Sequence, residues 1–140
     1  MGARSDASYA SGTVFVDSEA TSHLQGVTYA VDSYAVSTTL DADDSGRVII
    51  ATAVDLVFTL PATATGLVYT FVVGAASATT GLSISPAAAD SIGGLALTTT
   101  DNKDLINTAA TDRVGDSVTL VGVAAGWLAV NASGTWAKEA

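Results

Sequence analysis

The chain has 140 residues, a formal net charge of −9 and no cysteine. One domain with a core of its own fits that length, while disulfide frameworks, zinc–thiolate sites, iron–sulfur clusters and thiol chemistry are excluded. Five basic residues, Arg4, Arg47, Lys103, Arg113 and Lys138, are scattered singly, which argues against nucleic acid and anionic membranes as partners, since both are gripped by clustered Lys and Arg.

Nearly all the acids are Asp, with Glu only at 19 and 139. Asp favours turns and caps, so the imbalance points to a turn-rich β protein. Half of the residues are apolar, too many for wholesale disorder. The opening Met1-Gly2-Ala3-Arg4-Ser5-Asp6 leads into polar residues, so no secretory signal is expected. No stretch is apolar and long enough to read as a membrane helix.

In chain order, residues 1–38 carry weak alternation and no clear hairpin turn, with candidate strands at 13–16 and 28–36. They read as an N-terminal arm or as edge strands. Residues 39–140 read as the core domain, its patterned part ending near 136. Leu40 to Gly46 predicts one helical turn closed by Gly46, and 47–51 a strand. Val54, Leu56, Phe58 and Leu60 alternate with Asp55, Val57 and Thr59 up to Pro61, a half-buried strand.

Leu67, Tyr69, Phe71 and Val73 continue the period of two, so Pro61–Gly66 reads as a hairpin loop. Leu82 and Ile84 alternate with serines before Pro86. Pro86–Asp90 reads as a further turn, and 95–98 and 104–107 as weaker strands. Residues 117–123 and 127–131 flank Ala124-Ala125-Gly126, the loop of a second hairpin. Nine or ten short strands result, and no eleven-residue window keeps a helical apolar face. The fold class is all-β, a β-sandwich or jelly-roll-like single domain. Leu56, Phe58, Leu60, Leu67, Tyr69, Phe71, Val73, Ile84, Val118, Leu120 and Val130 are the expected core.

Chemistry-bearing clusters are few. Asp41-Ala42-Asp43-Asp44-Ser45-Gly46 begins like a calcium loop, but the twelfth position is Thr52 and a strand follows; capping carboxylates are the better reading. Asp112-Arg113-Val114-Gly115-Asp116 reads as a salt-bridged turn rather than a catalytic pair. His23 has no nucleophile and orienting acid in a recognisable motif. Trp127 and Trp136 are expected in the core or on its rim. No catalytic residue, metal site or cofactor is expected.

Several segments resemble a β module common in virion proteins of tailed bacteriophages. They are Leu40 with Asp44-Ser45-Gly46-Arg47-Val48, Phe58-Thr59-Leu60-Pro61-Ala62, Gly66 to Val73, Ile84-Ser85-Pro86 and Asp90-Ser91-Ile92. The ending is similar too: Gly115 to Val121, Gly126-Trp127 and Ser133-Gly134-Thr135-Trp136. The resemblance spans about residues 38–137. It implies a non-enzymatic capsid decoration (cement) protein on the outer surface of the virion. Its partner would be the major capsid protein, and its own assembly a homotrimer.

The alternative is a receptor- or glycan-binding module of a tail fibre or adhesin, with Trp127, Trp136 and Tyr69 stacking on the ligand. For the decoration reading, the apolar groups of the N-terminal region mark the capsid contact: Tyr9, Val14, Phe15 and Val16, with Arg4 beside them. An isolated strand of this kind requires another surface to complete it.

Overall fold

The computed structural model describes residues 28–77 and 79–140. They contain strands β1 (Val31–Tyr34), β2 (Thr38–Thr39), β3 (Val48–Ala51), β4 (Val57–Thr59), β5 (Val68–Val73) and β6 (Ser83–Ser85). Then follow β7 (Ile92–Gly94), β8 (Leu105–Asn107), β9 (Ser117–Val123), β10 (Gly126–Ser133) and β11 (Trp136–Lys138), with one 3-10 turn at Ala42–Asp44. The fold is all-β, as the alternation requires.

The strands form two mixed sheets. One has the order β1-β3-β5-β9-β10-β7 and the other β11-β8-β6-β4-β2. From β1 to β6 the chain alternates between them, odd strands in the first and even strands in the second. Neighbours within each sheet are therefore parallel along this stretch. Parallel partners cannot be joined by a tight turn; here the connection between them runs through a strand of the opposite sheet. With β7 parallel to β10, the pairing departs from the all-antiparallel pattern of a jelly roll. The later strands pair antiparallel, β9 between β5 and β10, and β8 between β6 and β11.

This topology corrects one expected hairpin. Pro61–Gly66 crosses from β4 in one sheet to β5 in the other. The two strands present their apolar sides to each other across the core rather than edge to edge. Phe58 of β4 stacks on Phe71 of β5, with centroids 5.6 Å apart and planes 29° apart. Between the sheets Leu40, Ile49, Leu60, Tyr69, Ile84, Ile92, Leu105, Val118, Leu120 and Trp127 are buried with them. Each large side chain removed from water in this way contributes about 1.5–3 kcal/mol.

Of the expected core, Leu67 is only half-buried, packed against the cluster, and Val130 is 58% exposed. On β10 the Trp127 ring takes the inward side, so Ala129 follows it inward while Leu128 and Val130 face out. A bulge between Ala129 and Asn131 then changes the phase. The second hairpin is present, but Gly126 already pairs with Val123, so its loop is Ala124-Ala125. The expected strand at 95–98 is a turn: Leu95 and Ala96 have φ of 55° and 60°, and Leu97 N–H returns to the Gly94 carbonyl at 2.9 Å. The strand lies just before it, as β7. The strand expected from Val54 is shorter, since Asp55 takes a φ of 56° and β4 starts only at Val57.

β1 and β2 are the edge strands at one side of the two sheets, and the expected boundary at 38/39 falls inside β2. At the β1 edge the inward position is Asp32, in register with the buried Ile49. Its carboxylate meets the Arg47 guanidinium at 2.7 Å. The pair closes the rim of the core with charge facing water and contributes little to stability by itself.

Candidate functional site

Arg4, Tyr9, Val14, Phe15 and Val16, the expected capsid contacts, lie outside the described residues, as does His23. The described chain enters at Thr28, three residues before β1, with Tyr29 82% exposed beside that sheet edge.

The Asp41–Asp44 cluster is a cap. Asp41 Oδ1 accepts from Asp43 N–H at 2.8 Å, and Asp44 Oδ2 accepts from Asp41 N–H at 3.0 Å. The two carboxylates satisfy donors at the start of the 3-10 turn reciprocally, and Gly46 leaves it with φ of 86°. The turn serves the core through its backbone: Tyr69 O–H donates to the Asp41 carbonyl at 2.6 Å. Burial, followed by the neighbouring charges of Asp44, Asp41 and Asp43, pushes the Tyr69 phenol up to about 12.

The 112–116 segment is held by backbone and amide donors rather than by the expected ion pair. Asp116 is buried. Its Oδ2 accepts from Arg113 N–H at 3.0 Å and from Asn107 Nδ2 at 3.2 Å. Asp112 Oδ2 accepts from Ser77 N–H at 2.5 Å. The two carboxylates thus serve different loops.

Trp127 and Trp136 lie in the core at 1% and 8% exposure, and Tyr69 is fully buried. Trp136 Nε1 donates to the Ser133 carbonyl at 2.9 Å. Tyr69 and Trp127 have no open face to stack on a ligand, and Trp136 shows only a narrow part of its surface, in a cleft with Leu95, Ala132, Gly134 and Thr135.

One carboxylate cluster escaped the sequence reading. Asp55 accepts from the hydroxyls of Ser77 and Thr79 and from the backbone N–H of Thr80 and Gly81 at 3.0 and 3.1 Å. Its left-handed backbone is one that Asp tolerates. The donors lie 22 to 26 residues downstream, so no local motif marks the contact. The hydroxyl bonds, first Ser77 and then Thr79, hold the Asp55 carboxyl well below the usual carboxylate range.

A folded pKa below the unfolded one gives stability that is complete above about pH 4 and is lost as pH falls toward the folded value. The melting temperature is therefore expected to drop below about pH 4. Asp55→Asn, which keeps the left-handed conformation, is expected to melt lower at neutral pH and to show a flatter acid limb. Thermal melts from pH 2 to pH 7 check this; parallel curves for the two proteins would reject the latch.

At the far edge, a cleft of about 380 Å³ lies between the 96–100 turn and the C-terminal residues. Lys138 of β11 reaches over from the second sheet, and its Nζ donates to the carbonyl of Ile92 on β7 at 2.6 Å. Desolvation lowers the pKa of this ammonium, and the charge of Asp104 opposes that. The lysine acts as a staple between the sheets.

The outward faces of the two sheets differ. In the five-stranded sheet the outward positions of β2, β4 and β6 include Thr39, Thr59, Ser83 and Ser85, and the Ser83 hydroxyl donates to Asp104 at 2.6 Å. In the six-stranded sheet the outward side carries Ile50 beside Val72 and Val68 beside Val121 and Leu128, with Thr70, Thr119 and Asn131 in the row between them. Among the described residues no three His, Asp or Glu side chains are grouped to hold a metal ion. Nor is any helix there long and apolar enough to cross a membrane. No protein-family model matches the chain, and no curated protein matches it.

Proposed function

We propose that the chain is a non-enzymatic structural protein of a bacteriophage virion. In this reading it decorates the outer capsid surface as a homotrimer and binds the major capsid protein. The carrying observation is where the resemblance falls. Its segments supply Phe58 of β4, Tyr69 and Phe71 of β5, Ile84 of β6 and Ile92 of β7, then Val118 and Leu120 of β9, Trp127 of β10 and Trp136 of β11, all buried between the sheets. The likeness to virion β modules thus lies in the residues that build this fold.

A cement protein works through contact area. Bound to the assembled shell, it adds the free energy of its contacts to the native form by mass action. Its acid excess keeps unassembled copies soluble and apart. The carboxylates of Asp41, Asp44, Asp55 and Asp116 are engaged with backbone and side-chain donors that hold loops, a use that suits a scaffold. In this reading Tyr9, Val14, Phe15 and Val16 anchor the chain to the capsid, with Arg4 against an acidic patch.

The test is co-sedimentation with capsids that lack the protein. The full chain is expected to pellet with them and to raise the temperature at which they come apart. A variant lacking residues 1–16 is expected to fold and to bind more weakly. A full chain that stays in the supernatant would reject the decoration role. A truncated chain that binds as well as the full one would move the contacts to loops of the 39–140 domain.

A further inference from the structure

We infer that the outer face of the six-stranded sheet is the surface through which copies of this chain pack against one another. Burial alternates along β3, β5 and β9, so their other side points away from the core. Val48, Ile50, Val72, Val121, Leu128 and Val130 lie on that outer side. Leu128 and Val130 are 43% and 58% exposed. The Thr70 and Thr119 hydroxyls near the middle of the face are 3.0 Å apart and bond to each other, and Ser117, Asn131 and Ser133 share the outward side.

Charge selects the occupant. Across all six strands the only charged side chain is Asp32, and it turns inward to Arg47. The whole chain carries −9. A basic partner would be matched by acids on the face, and there are none. A second copy brings the same acid-rich body, whose approach is repulsive wherever charges meet. A sheet face that carries aliphatic and hydroxyl side chains and no charge is the surface on which that repulsion is smallest. The other sheet is a poorer match, since Asp104 sets a charge against its outward Ser83.

The size is adequate. Six strands about 4.8 Å apart and three to eight residues long present roughly 500 Å². Two such faces together reach about 1,000 Å², where specific interfaces begin. The inference rests on the trimer part of the proposed function and not on its capsid part. Co-sedimentation with capsids measures the second separately.

The experiment is light scattering on the full chain and on the double variant Val121→Glu with Leu128→Glu, both checked for fold by circular dichroism. The wild type is expected as a multimer. The double variant is expected to fall to the 13.9 kDa monomer while keeping the β spectrum. A folded double variant that stays multimeric overturns the inference, as does a monomeric wild type.

A second measurement does not depend on the double variant folding. The protein has no cysteine, so Val121→Cys and Thr59→Cys each introduce a unique thiol. In the multimer the thiol at 121 is expected to react slowly with a maleimide and to speed up on dilution, whereas that at 59 reacts alike at all concentrations. Fast labelling at 121 in the multimer overturns the inference. Slow labelling at 121 in a monomer also overturns it, and assigns the face to residues 1–27 of the same chain.

Discussion

Phe71→Ala is expected to cost about 3–5 kcal/mol. Phe71 has no exposed surface and sits at the middle of the aromatic layer. Phe58 stacks on it from the other sheet, and Tyr69 lies beside it with centroids 6.3 Å apart. In register it is flanked by Ile49 on β3 and Val118 on β9, both buried. Strand backbones hold these neighbours on two sides and the second sheet holds them on the third, so the space left by the ring closes only in part. The loss is then the transfer of the ring plus the cavity. Urea unfolding of wild type and variant measures it as a shift in midpoint at constant slope. A change under 1 kcal/mol would place the ring outside the core.

Gly81→Ala is expected to cost about 2–4 kcal/mol, combining a left-handed backbone with overpacking. Gly81 has φ of 89°, and a Cβ there would run into the backbone carbonyl of Asn107 on β8. The collision is with a strand that cannot shift freely, since Asn107 N–H donates to the Leu82 carbonyl at 2.9 Å. Moving the loop instead breaks the bonds from Gly81 N–H to Asp55 and Ser77, at 3.1 and 3.0 Å. Gly46 supplies the control. Its φ is 86°, and an added Cβ would meet nothing within 4 Å. Gly46→Ala therefore carries only the backbone cost of about 1 kcal/mol. Equal losses for the two variants in the same unfolding assay would remove the steric argument.

The elements themselves were largely legible. A period of two is a property of neighbouring residues, so Phe58, Tyr69, Phe71, Val73, Ile84, Val118 and Leu120 declare their inward side locally. The Asp41–Asp44 cap and the hairpin at 124–125 are local for the same reason. Val130 was misplaced because Trp127, three residues before it, sets which side of β10 faces in. The larger ring wins the buried side, and alternation then turns Ala129 inward and Leu128 and Val130 outward, up to the bulge. β7 was displaced because the left-handed pair Leu95-Ala96 is stabilised by its closing bond to Gly94, and nothing in their composition announces a turn.

For the candidate site, the sequence by itself determined the chemistry that is absent from the composition, namely thiols and clustered bases, together with the alternation that makes this an all-β chain. Tertiary structure decided which sheet each strand joins. That choice depends on distant partners, 17 residues apart for Val31 and Val48 and 47 for Phe71 and Val118, and β4 facing β5 rather than pairing with it is the clearest case. Tertiary structure also buried Tyr69, Trp127 and Trp136, which the composition alone would allow as stacking groups. It brought Asp55 to the 77–81 loop, and it gathered Ile50, Val72, Val121 and Leu128 into one uncharged face. Each of these is a long-range contact. Local propensity fixes where a strand runs, and only the packing of the two sheets fixes what lies beside it.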